Sequence, residues 1–338
     1  MSVTVRSFAK INLGLRIGAL RADGFHDLRT VYQTIALHDR VRVEVVRGKG
    51  IEILCDDPRV PLDQSNTCYQ IVERAMAALK VRGRVVIEIE KRLPVQGGLG
   101  GASGNAVAAL LALEMAVKKS LPPAERLRIA AKVGSDLPLF LVGGTVLGVG
   151  RGEEVYPLPD LPAIACVVAT LDLGVSTPKA FADWDARLAE RLKPVAGGHQ
   201  LTKPTASDRM SEFGRVISAW LSGSQRKFGK ASSGVPASGR GRAETPLLDL
   251  VRTGIENDFE RVVFPQYPEI RKVKGALERA GAFYASLSGS GSATYGLFWE
   301  TQTARNAAEL LTKSGIPAVV TTTLTRPQYW KKFLVSSF

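Results

Sequence analysis

Residues 91–117 read KRLPVQGGLGGASGNAVAALLALEMAV: a strand end, a proline, a glycine-rich loop, then a long run of helix formers. Four of the five residues 97–101 are glycine. Glycine lets a backbone pass close to a phosphate and aim successive N–H groups at it. A helix opening straight afterwards adds unpaired donors and the positive end of its dipole. The competing reading is a plain turn with Ser103 or Asn105 as helix cap. The stretch fits neither GxxxxGK(S/T) nor GxGxxG, so it is not one of the usual P-loop or dinucleotide loops.

Moving outward, Val85, Ile87 and Ile89 alternate with charge and predict a strand leading into the loop. Val41, Val43 and Val45, then Ile51 and Ile53, repeat the same period. Residues 66–80 place Cys68, Ile71, Val72, Ala75, Met76 and Leu79 on one helical face. Downstream, a helix is expected over 123–133 and strands over 145–149 and 164–171. Beyond residue 245 the pattern predicts helix 269–280, strands 283–287 and 294–298, helix 303–314 and strand 318–323. Helices interspersed with hairpins point to an α+β fold rather than a doubly wound sheet.

The 338 residues are 45% hydrophobic, which allows one large domain or two ordinary ones. No apolar run reaches the roughly 20 residues needed to cross a bilayer. The opening MSVTVRSFAKINLGL lacks the pattern of a secretory signal, so the expected location is cytoplasmic. Cys55, Cys68 and Cys166 have no CxxC spacing and read as buried small hydrophobes, with no metal site. The formal net charge of +13 suits an anionic ligand or nucleic acid. Part of it is local: residues 203–242 hold eight Lys or Arg against Asp208 and Glu212. Residues 196–245, rich in Gly, Ser, Pro, Lys and Arg, read as a flexible basic insertion with EFGRVISAWL as a lone helix. RNA binding would call for aromatics among those bases, and only Phe213, Trp220 and Phe228 occur. No nucleic acid or membrane partner is expected.

Two further segments sharpen the reading. SFAKINLGLRIG sets Lys10 and Asn12 in an otherwise apolar strand, and SLSGSGSATYGLF sets a second small-residue loop between two strands. Together with LPVQGGLGGASGNA, RADGFH, GSDLPLF, LDLGVSTPKAF and ENDFE, these resemble the GHMP family of small-molecule kinases. The resemblance spans the chain except 196–245. It is specific to the branch whose alcohol substrate carries a cytidine diphosphate group and feeds isoprenoid precursor synthesis by the non-mevalonate route.

The resemblance implies a domain over 1–160 like ribosomal protein S5 domain 2 and a ferredoxin-like domain over 161–338. It implies ATP, with Mg²⁺, held by Pro94, Val95 and Gln96, by Gly97, Gly98, Leu99, Gly100 and Gly101, and by Ala102, Ser103 and Gly104. Asn66 would lie near the adenine. Asp136 would be the catalytic aspartate and Lys10 its partner, with Asn12 at the substrate. Phe25 and His26 would meet the cytosine ring, with Phe181 on its opposite face. Two positions depart from the family: Phe25 stands where Tyr is common, and Gly104 where a Ser is common. Apart from the resemblance, Asp136 reads as a helix cap and His26 as a core histidine.

Overall fold

The computed structural model describes residues 1–192, 206–225 and 255–335. The chain begins with two long strands, β1 (Ser2–Leu20) and β2 (His26–Val46), paired antiparallel almost end to end. Both are buried continuously through their middles, at residues 7–15 of β1 and 30–35 of β2. β3 (Gly50–Leu54) runs parallel to β4 (Arg84–Glu90), and β4 pairs with the second half of β2. β5 (Thr145–Val149) pairs with the first half of β2, and β6 (Glu154–Pro157) closes that edge.

Four helices belong to this sheet: α1 (Thr67–Leu79), α2 (Gly101–Val117), α3 (Pro123–Val133) and the short α4 (Leu137–Val142). α2 is buried continuously from Gly104 to Glu114. That is the burial expected of a central helix that is apolar all round. Its residues pack with Val41, Val43, Val85, Ile87 and Ile71 in one core.

The second sheet is wholly antiparallel, in the order β10 (Ala318–Thr322), β7 (Ala165–Ala169), β9 (Thr294–Phe298), β8 (Tyr284–Leu287). α8 (Pro268–Arg279) and α9 (Thr301–Lys313) cover it through Val273, Leu277, Ala304 and Leu311. α5 (Thr177–Leu192), α6 (Ala206–Gln225), α7 (Glu260–Gln266) and α10 (Arg326–Phe333) complete the described elements.

The expected strands and helices occur within a few residues of their predicted bounds. α5, α7 and α10 were not predicted, nor was α4, whose Leu-Pro-Leu-Phe run carries too few residues for a helical period to show. The lone helix expected within 196–245 is present as α6, longer than the EFGRVISAWL run. Phe213, Val216 and Ile217 are buried against Leu13, Val31 and Ile35 of the first sheet, so this part of the segment is packed structure. Residues 196–205 and 226–245 lie outside the described residues.

Candidate active site

β1 carries Lys10 and Asn12 two residues apart, hence on one face of the strand. Register irregularities at Phe8/Ala9 and at Asn12/Gly14 bracket this stretch. Bulges of this kind re-aim side chains next to functional sites. The Lys10 ammonium is buried and donates to Asn12 Oδ1 at 2.7 Å and to the Gly98 carbonyl at 2.7 Å. It lies 3.7 Å from Asp136 Oδ2. Burial lowers the Lys10 pKa from its ordinary value, and the Asp136 carboxylate opposes that shift.

Asp136 stands at the start of α4, yet its side chain makes no capping hydrogen bond. The plain-cap reading therefore fails for it. One carboxylate oxygen accepts instead from the Tyr32 hydroxyl at 2.9 Å, and the side chain stays 36% exposed. Tyr32 was not legible as a site residue, because its TVYQT surroundings look like ordinary strand.

The loop at 94–104 turns through positive φ at Gln96, Gly98 and Gly100. At Gly98 a side chain is impossible for a second reason. A Cβ there would run into the Ser288 backbone carbonyl of the other small-residue loop. The two loops are stitched by Ala293 N–H to Gly97 O at 3.0 Å and Ser288 Oγ to Gly98 O at 2.9 Å. Asn12 joins the same knot: its Oδ1 also accepts from Gly289 N–H, and its Nδ2 donates to Thr30. The buried Asn12 thus ties Lys10 to both loops.

A cavity of about 330 Å³ opens beside the loop, lined by Pro94 through Ser103 with Arg59, Asn66, Lys91 and Asn105. Asn66 lines it, but its amide caps α1, accepting from Cys68 N–H and donating to Pro61 O. Lys91 and Asn105 both donate to the fully buried Asp39, which also takes the N–H groups of Arg92 and Leu93. Asp39 thus fixes the entry to the loop, a role sequence reasoning missed. Gly104 does not line the cavity. A Cβ there would meet Ser7 Oγ and Phe8 O, so its smallness lets α2 lie close to β1. A serine at 104 would point at the strand.

At the β1–β2 turn Phe25 is half exposed, with the Arg151 guanidinium 4.9 Å above its ring. His26 is buried; its Nε2 lies 2.8 Å from Asp185 Oδ1 on α5, and a carboxylate only accepts, so the proton sits on Nε2. Phe181 stacks on His26, centroids 5.0 Å apart with the ring planes nearly parallel, and meets Phe259 edge-to-face. ENDFE forms a buried knot: Asn257 donates to Leu287 O and Gly289 O, while Asp258 takes Ile17 N–H, Arg16 and Arg209 of α6.

Among the described residues no cluster of three or more His, Cys, Asp or Glu is arranged to hold a metal, and no helix is long and apolar enough to cross a membrane.

Residues 66–144 match the family of GHMP kinases N terminal domains and residues 244–316 that of GHMP kinases C terminal. The chain is 36% identical to the 4-diphosphocytidyl-2-C-methyl-D-erythritol kinase of Solibacter usitatus over 307 residues, 91% of this chain and 84% of that one. A crystal structure of 4-(cytidine 5'-diphospho)-2C-methyl-D-erythritol kinase superposes with a TM-score of 0.68 at 29% identity, covering 96% of this chain and 99% of that one. A homoserine kinase from Cytophaga hutchinsonii superposes at 0.66 but with 20% identity, over 96% and 95%, a likeness of fold alone.

Proposed function

The chain belongs to the GHMP kinase family, and from that membership we propose that it transfers the γ-phosphoryl group of ATP to the 2-hydroxyl of 4-diphosphocytidyl-2-C-methyl-D-erythritol. One observation carries the placement of the chemistry. The Lys10 ammonium touches the Gly98 carbonyl of the glycine loop and lies beside the Asp136 carboxylate. A single cation thus links the phosphate side to the acid that would face the alcohol.

Phosphoryl transfer asks for positioning and charge stabilisation rather than covalent help from the protein. Loop N–H groups from Gly97 to Ser103 and the start of α2 suit the phosphates of ATP. Asp136 accepts the proton of the acceptor hydroxyl as that oxygen bonds to phosphorus and ADP departs with the electron pair. Lys10 balances the charge gathering on the transferred group. The donor set fits Mg²⁺ carried in on the phosphates, with Ser103 at the cavity wall as a protein oxygen, since Mg²⁺ keeps several waters and needs few protein ligands. Bound there, it would neutralise phosphate charge.

His26 supports the cytidine diphosphate group as the recognition handle. With Nε2 spent on Asp185, Nδ1 is left as an acceptor, which suits the amino edge of cytosine and not the carbonyl edge of uracil. The reaction belongs to the cytoplasm, where ATP is plentiful.

The assay is ATP–Mg²⁺ with the cytidyl alcohol, its uridyl analogue, homoserine and mevalonate as acceptors. Turnover of the cytidyl alcohol, with the uridyl analogue clearly weaker and the other two inert, is the expected result. Equal or better turnover of homoserine or mevalonate would replace this acceptor with another alcohol of the family.

A further inference from the structure

The Tyr32 hydroxyl takes no part in the motifs around the site, yet among the described residues it is the group that donates a hydrogen bond to the Asp136 carboxylate. Tyr32 sits on β2 opposite Asn12 of β1 and Val146 of β5, so its backbone is fixed from both sides. Its ring occupies a slot that two glycines leave open. A Cβ at Gly148 would lie 2.5 Å from Tyr32 Cε2, and one at Gly152 would lie 2.6 Å from the hydroxyl. The ring is 2% exposed, which leaves the hydroxyl little room to swing elsewhere. Lys10 passes 5.9 Å from the ring centroid on its way to the other carboxylate oxygen.

The two oxygens of Asp136 therefore have different surroundings. Oδ1 is held by a neutral donor that cannot leave, and Oδ2 lies nearest the ammonium. We propose that Tyr32 is a positioning residue for phosphoryl transfer: its hydroxyl pins Asp136 Oδ1 so that Oδ2 stays presented to the acceptor hydroxyl beside Lys10. Burial and the nearby carboxylate hold the Tyr32 phenol well above its usual range, so it remains a donor at every working pH. A carboxylate at the mouth of a six-residue helix with no capping bond would otherwise be free to rotate. Loss of orientation costs turnover without touching ground-state binding.

This inference rests on Asp136 as the acceptor of the hydroxyl proton, and the test separates the two. kcat and KM are measured for the parent, Tyr32→Phe, Asp136→Asn and the double variant, using single-turnover kinetics for the slow ones. Phe keeps the ring in its slot, so Tyr32→Phe should unfold thermally close to the parent. It should lower kcat about tenfold, the loss expected for one hydrogen bond to a charged group, with both KM values within about twofold. In the Asp136→Asn background the same change should cost nothing further, because the oriented carboxylate is already gone. A merely structural tyrosine would cost the same factor in both backgrounds, and that result overturns the proposal. So does an unchanged kcat in Tyr32→Phe while Asp136→Asn is inactive. If Asp136→Asn itself turns over normally, the role of Asp136 falls and this inference with it. Should Tyr32→Phe fail to fold, Gly152→Ala decides the matter, since it crowds the hydroxyl from outside the sheet pairing. It should lower kcat with KM retained, and unchanged kcat would refute the proposal.

Discussion

Lys10 is the residue on which most of the site converges, and its burial has a consequence for pH dependence. Desolvation lowers its pKa from 10.5, and Asp136 only partly offsets that. Its role requires the charged form. Activity should therefore fall as pH rises through a value below that of an ordinary lysine. The check is the alkaline limb of kcat/KM for ATP, expected below pH 10.5. In Lys10→Arg, whose guanidinium does not titrate, whatever activity remains should lack that limb. A parent limb at or above the ordinary lysine value would mean that Lys10 is not the titrating group. For stability the sign is opposite. The unfolded chain binds this proton more tightly than the folded one, so the cost of burying the charge is relieved as pH rises from the folded value to the unfolded one.

At the scale of elements, α6 was expected as a lone helix, and its docking onto the first sheet is what the structure adds. Its stretch of sequence has the composition of a solvated loop, yet Phe213, Val216 and Ile217 recur at helical spacing and are buried against β1 and β2. Arg209 pairs with the buried Asp258 and lies 4.8 Å above the Trp184 ring of α5, while Arg29 donates to Met210 O. The helix thus braces ENDFE on one side and, on the other, the helix that carries Phe181 and Asp185. Phe213→Ala should destabilise the protein by about 3 kcal/mol, as for other buried aromatics cut back to alanine. Urea unfolding measures this, and an unchanged midpoint would show that α6 is not docked in solution.

Over the whole molecule, the two sheets meet in a shared core. Ile11, Leu13, Val31 and Ile35 of the first pack with Cys166, Val168, Tyr295 and Leu297 of the second. The edge of β1 is also closed by backbone bonds between Leu15 and residues 256 and 258. We propose that the boundary near residue 160 divides two structural halves that do not fold independently. Residues 1–160 alone would expose this apolar face to water. Calorimetry should give one transition whose calorimetric and van't Hoff enthalpies agree. A saturating ATP concentration should raise that one transition, since ligand at 100 times Kd adds about 2.7 kcal/mol. Two separable transitions, only one of them moved by ATP, would show that the halves are independent.

Local chemistry was enough for much of this protein. The glycine loop, the period of α1 and α8, the apolar run of α2 and the alternation in β4 depend on neighbours in sequence, where such patterns are written directly. The family resemblance, too, lies in short contiguous motifs. What only the tertiary structure decided depends on residues far apart in the chain. Tyr32 and Asp136 are separated by 104 positions, His26 and Asp185 by 159, and Asn12 and Gly289 by 277. Nothing in TVYQT or in the sequence around Asp185 marks either as a partner, because a hydrogen bond across the fold leaves no periodic trace. The same holds for Gly104 and Phe181. Which way a side chain would point at 104, and which ring covers Phe181, are set by how α2 lies on β1 and how α5 lies on the turn at residue 26.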